Sequence, residues 1–140
     1  MRVLLPLLLF WCSAAPLWAD PAALAQINTL RSDRQRAALV YDMTLERVAR
    51  AHAQDMSQQG YFSHTGANGS TIGQRISAQG YKWCFAAENI AKGQKSLNQV
   101  MGDWARSKGH YRNMIHKQAR SVGLARTKGN IWVMVLARPC

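Results

Sequence analysis

Acidic residues are what this chain has least of. Over 140 residues, seven Asp and Glu stand against 18 Lys and Arg, a formal charge of +11. That excludes an acidic buffer or tail and points to an anionic partner, such as nucleic acid, a membrane headgroup layer or a cell-wall polymer. No apolar run reaches the roughly 20 residues a spanning helix needs. No glycine-rich phosphate loop is present, which removes a common nucleotide-binding signature. Cysteine is limited to Cys12, Cys84 and Cys140. What the chain does hold is apolar: 48% hydrophobic residues against 18% charged describes a packed globule rather than a disordered segment. The length is that of one domain.

Residues 1–19 read as a secretory signal peptide. Arg2 supplies the positive start, Val3 to Trp11 is apolar apart from Pro6, and Ala19 is a small residue at the expected cut. Bulky Phe10-Trp11 before Cys12 disfavours a lipid-modified cysteine. Cleavage leaves residues 20–140, a chain long enough to bury roughly two thirds of its unfolded surface around one core. The expected compartment is extracellular or periplasmic. Two remaining thiols in an oxidising compartment are most simply one disulfide, Cys84–Cys140, with a free or metal-bound pair as the alternative. Such a bridge is worth about 4 kcal/mol in the chain-entropy picture.

Periodicity sets the elements. Residues 22–33 suggest a short helix, with Arg31 to Arg36 as a charged connection. Residues 44–59 place Leu45, Val48, Ala49, His52 and Met56 on one helical face. Asp42 or Thr44 can cap that helix and Gly60 can stop it. Ser63 to Ser70 is a loop by composition. Thr71 with Gln74, and Ser96 with Gln99, have capping-box spacing. The helix after Ser96 is expected to run to about Ser107, with Gly109 as its stop. Val122 to Arg126 alternates, Lys128-Gly129-Asn130 is a turn, and Ile131 to Ala137 is a buried strand. A third short strand is expected between Cys84 and Ala91. Helices before a small antiparallel sheet make the class α+β, with helices on both sides of the sheet.

The chemistry-bearing residues are few. His52 sits on an apolar helix face, where a satisfied core histidine is the ordinary reading. His116 has no distinguishing context. His64 and His110 each follow a helix stop. Glu88 lies in the apolar run Phe85-Ala86-Ala87-Glu88-Asn89-Ile90-Ala91, so its carboxylate needs a cation, a hydrogen-bonding histidine or a metal. Ser107 and His110 are one helical turn apart, but no orienting acid or oxyanion hole accompanies them, so no serine nucleophile is assigned.

Five blocks occur in the order of an SCP (CAP) domain: His52-Ala53-Gln54-Asp55-Met56, Tyr61-Phe62-Ser63-His64, Glu88-Asn89-Ile90-Ala91, Trp104 to His110, and Val122-Gly123. The chain resembles the bacterial short form of that superfamily, which includes cysteine-rich secretory proteins, antigen 5 and pathogenesis-related proteins. The resemblance implies an α-β-α sandwich with a cleft, in which many members place two histidines and two glutamates that can bind a divalent metal. His64, Glu88 and His110 fall at three of those positions. The fourth, three residues after the Trp, is Ser107 here, so the tetrad is incomplete. The expected metal ligands are His64 and His110, with Glu88 as a third ligand or an orienting partner. A two-histidine zinc site is weak, because a catalytic zinc usually takes three protein ligands and a water.

The charge is unevenly placed. Residues 20–88 carry seven Lys/Arg and six Asp/Glu, whereas residues 89–140 carry ten Lys/Arg and only Asp103. Arg106, Lys108, Arg112, Lys117 and Arg120 are the anion-binding candidates. No aromatic platform interleaves with them, which disfavours nucleic acid. Anionic lipid, lipopolysaccharide or a cell-wall polymer is the better partner. The expected protein is a monomeric, non-enzymatic binding module. A metal-dependent hydrolase using His64, His110 and Glu88 is the alternative.

Overall fold

The computed structural model describes residues 21–140. The expected signal peptide and Cys12 lie outside them. Helix α1 (Pro21–Ser32) begins on a proline, whose missing N–H is no loss in a first turn. It buries Ala23, Ile27 and Arg31, each one turn from the next. Arg31 corrects the expectation of a charged surface connection, for it is fully buried. Its guanidinium donates to the carbonyls of Ala37, Met114, His116 and Ala119 at 2.8–3.2 Å. Those carbonyls take the place of water around the buried cation.

A two-residue strand, β1 (Val40–Tyr41), precedes α2 (Met43–Gln59). Asp42 caps α2 by accepting from the Thr44 and Leu45 amides. Gly60 ends it in the left-handed region at φ 70°, a conformation costly for residues with a Cβ. The short helix α3 (Ile72–Ala78) starts with a complete Thr71–Gln74 capping box. At Ser96 the box is altered: the hydroxyl accepts from the Gln99 amide, but the Gln99 side chain turns to the Lys95 amide. Strand β2 (Trp83–Lys92), helices α4 (Leu97–Arg106) and α5 (Lys108–Met114), and strands β3 (Ser121–Arg126) and β4 (Ile131–Pro139) complete the chain.

The sheet order is β1-β3-β4-β2, with β1 parallel to β3 and the other pairs antiparallel. Along β4, Trp132, Met134 and Leu136 join the core beneath α1, α4 and α5. Ile131, Val133, Val135 and Ala137 join the core beneath α2 and α3. The unbroken apolar run of β4 thus serves two layers at once, and the molecule is the expected α-β-α sandwich. α2 lies so close on β3 that a Cβ at Gly123 would stand 2.2 Å from the Glu46 amide nitrogen.

Three features differ from expectation. The sheet is mixed rather than purely antiparallel, because β1 adds a parallel edge too short to show periodicity. Gly109 is not a helix stop: α4 ends at Arg106, Ser107 takes extended angles, and α5 runs through Gly109. β2 is ten residues long rather than a short strand. The bridge Cys84–Cys140 is present, with Cα atoms 4.8 Å apart, and ties the start of β2 to the end of β4.

Candidate functional site

The cleft lies at β2, the sheet edge where the two helical layers meet. Side chains alternate along a strand, so adjacent residues serve opposite faces. Glu88 pairs in register with Val135, on the α2 side, and Asn89 pairs with Met134, on the α5 side. One step of β2 therefore reaches both layers. Glu88 accepts from His64 Nδ1 at 2.8 Å through one oxygen and from Arg75 at 2.8 Å through the other. Asn89 donates to the His110 carbonyl at 3.1 Å, and Asn113 donates to the Asn89 side-chain oxygen at 2.9 Å. Glu88 thus fixes one histidine by its ring, and Asn89 fixes the other by its backbone.

The loop carrying His64 is held from both helices of its layer. His52, on α2, donates from Nε2 to the Ser63 carbonyl at 2.9 Å. Asp55, one turn later, accepts from the Tyr61 hydroxyl and from the Ala67 amide. Those two hydrogen bonds, the Tyr61 bond foremost, hold the Asp55 carboxyl below its ordinary range. Arg75, on α3, reaches the Ser70 carbonyl at 2.8 Å with the guanidinium that also binds Glu88. His52 is the core histidine that its helix face implies, but it also stands 3.8 Å from Glu88. Its Nδ1 is buried with no partner among the described residues. Burial pushes its pKa down, against the opposing pull of Glu88.

The other wall is made by Ser107 and His110. Ser107 is the N-cap of α5, yet its side chain makes no capping bond. Its hydroxyl lies instead 2.9 Å from His110 Nδ1. Burial, and then the nearby His64, lower the His110 pKa. The structure thus places His64, Glu88, Ser107 and His110 around the middle of β2. The pairing is His64 with Glu88 and His110 with Ser107. Among the described residues, no three His, Cys, Asp or Glu side chains are placed to hold one metal ion. His64 and His110 each engage Nδ1 with a neighbouring side chain, and Glu88 accepts one donor on each oxygen. Two imidazoles without that carboxylate fall short of the three protein ligands a catalytic zinc usually takes, so the set does not fit a resident catalytic zinc.

Residues 24–136 match the family described as "Cysteine-rich secretory protein family", abbreviated CAP. The chain belongs to the CAP family. It is 33% identical over 106 residues to the uncharacterized protein YkwD of Bacillus subtilis, covering 75% of this chain and 41% of that one. It therefore spans less than half the length of that curated relative. Among solved structures, an outer surface protein from Borrelia burgdorferi superposes with a TM-score of 0.80 at 27% identity, covering 86% of this chain and 92% of that one. An extracellular protein containing an SCP domain from Bacillus anthracis gives 0.77 at 26%, covering 89% and 45%. The two solved structures are thus of an outer surface protein and an extracellular protein.

Arg75 and Asn113 were not singled out in the sequence, and the contacts of His52 with the Ser63 carbonyl and of Asn89 with the His110 carbonyl were not legible there. Of the partners expected for Glu88, a cation, a hydrogen-bonding histidine or a metal, the first two are present as Arg75 and His64, though nothing marked position 75. The basic candidates fall differently as well. Arg106 pairs with Asp103 at 2.6 Å. Arg120 donates to the carbonyls of Lys117 and Ala119. Lys108, Arg112 and Lys117 are exposed on α5 and the turn after it. Two cations of the near-neutral half join them: Arg34 donates to the Tyr111 hydroxyl at 2.8 Å and Arg36 to the Ile115 carbonyl at 3.2 Å.

Proposed function

We propose that this CAP domain is a secreted or periplasmic, non-enzymatic module that binds an anionic component of the cell envelope. The observation that carries this reading is the meeting of Arg34 and Arg36 with Arg112, Lys117 and Arg120 about α5 and its exit. None of the five forms an ion pair among the described residues. Their long side chains supply charge to a water-exposed surface, which suits headgroups or a charged polymer better than a small neutral ligand. The non-enzymatic part is supported by Glu88. Its two oxygens are already engaged by His64 and Arg75, so neither is left to orient a water as a general base would.

The hydrolase alternative has one observation on its side. His64 and His110 each engage Nδ1 with another side chain, an arrangement that orients metal-binding histidines. It requires Glu88 to serve as third ligand or base. Calorimetry with zinc at neutral pH separates the two readings. The binding module takes up zinc weakly or not at all, and His64→Ala abolishes what uptake there is. One tightly held zinc per chain, with a hydrolytic activity lost in His110→Ala, would establish the hydrolase instead.

A further inference from the structure

The turn between α5 and β3 holds a second imidazole site, away from the cleft. His116 stacks flat on Phe85 of β2, with ring centroids 4.2 Å apart and planes within 10°. Its Nδ1 accepts from the Gln118 amide at 3.2 Å. An imidazole that accepts at Nδ1 carries its proton on Nε2. That N–H has no protein partner among the described residues. Stack and hydrogen bond together fix the ring before any ligand arrives, which lowers the ordering cost of binding.

The surroundings of this donor are cationic on every side that carries charge. Lys117 from its own turn, Arg31 from α1, Arg112 from α5 and Arg36 from the α1–β1 connection all act on His116, and no carboxylate is among the groups that do. Arg36 is anchored beside the turn by its bond to the Ile115 carbonyl. Arg31 is spent on backbone carbonyls, whereas Arg112 and Lys117 make no hydrogen bond through their side chains among the described residues. On the neighbouring strand β4, Arg138 pairs in register with Phe85, and its Nε is buried without a partner among the described residues. A fixed neutral N–H donor, two free cations and one anchored guanidinium make a donor set with no carboxylate acting on the ring. Guanidinium forks and imidazole N–H groups suit a tetrahedral oxyanion with several acceptor oxygens.

We propose that His116, Arg36, Arg112 and Lys117 form a phosphate-group site, with His116 Nε2 donating to one phosphate oxygen. This rests on the reading of the basic face as an anion-binding surface and names the group it recognises.

The test is NMR of the histidine ring signals in the oxidised protein at constant ionic strength. Inorganic phosphate is titrated in one arm, and chloride in a matched arm. Vesicles of phosphatidylcholine with and without phosphatidic acid form a third arm, read by co-sedimentation. The expected result is a saturable shift of the His116 ring signals with phosphate and none with chloride, while His64 and His110 stay in place. In Arg112→Gln plus Lys117→Gln, phosphate affinity falls at least tenfold. In Lys92→Gln plus Lys95→Gln, which removes equal charge elsewhere, it falls less than twofold. Equal shifts with chloride, or equal losses in both double variants, overturn the site. Phosphatidic acid vesicles that bind while His116 stays silent to phosphate also overturn it, and leave the broader reading of the face standing. A phosphate response with no vesicle binding supports the site for the free anion and removes the envelope reading.

Discussion

A carboxylate whose side chain is 2% exposed, as in Glu88, is tolerated only because donors replace its water. Arg75 and His64 supply them, one to each oxygen. Removing Arg75 leaves the charge stranded, so Arg75→Ala is expected to cost about 3–5 kcal/mol by chemical denaturation. Glu88→Gln, which removes the charge along with the geometry, is expected to cost less. The histidines set the acid side of the stability profile. His52 and His110 both have folded pKa values below the ordinary 6.5. Below that value the unfolded chain takes up protons first, so their stabilisation is present above about pH 6.5 and is lost as pH falls through the folded values. Melting temperature should therefore drop as pH falls below about 6.5, and His52→Gln should flatten that drop. At this scale the sequence showed that Glu88 needed a partner because its neighbours are apolar. It could not show Arg75 or Asn89, because those contacts depend on which strand face and which helix meet in space.

Local chemistry was most legible among the elements. Asp42, Gly60 and the Thr71–Gln74 box act through residues at most four apart, so their roles can be read from spacing. Asp42→Ala is expected to destabilise the protein by about 1 kcal/mol through loss of the α2 cap, measurable by urea titration. Gly123→Ala should be far worse. Its methyl would strike the backbone at Leu45 and Glu46, and backbone cannot swing aside as a side chain can. A cooperative melt within about 5 °C of the wild type would refute that close packing. What spacing could not reveal was β1, whose two residues gain their strand character only from pairing with β3. The break at Ser107 was hidden for a similar reason. Gly109 resembles a helix stop, yet the turn is made by extended angles at a serine whose hydroxyl is drawn to His110.

For the molecule as a whole, one bridge and one charged face matter most. Cys84–Cys140 joins the edge strand β2 to the central strand β4 at the chain end. Reduction should lower stability by about 4 kcal/mol if the unfolded chain behaves as a free loop. The uneven charge along the chain is real, but folding redraws it: Arg34 and Arg36 cross to α5, while Arg31 disappears into the core. The lack of acidic residues leaves this face without internal ion pairs, which fits a surface awaiting an anionic partner. Salt-dependent co-sedimentation with anionic vesicles tests that most directly, comparing the wild type with His64→Ala plus His110→Ala and with Arg112→Gln plus Lys117→Gln. Binding is expected at low salt, fading as screening rises, persisting in the histidine variant and dropping at least tenfold in the cation variant. No binding by the wild type at low salt, or loss confined to the histidine variant, would contradict it.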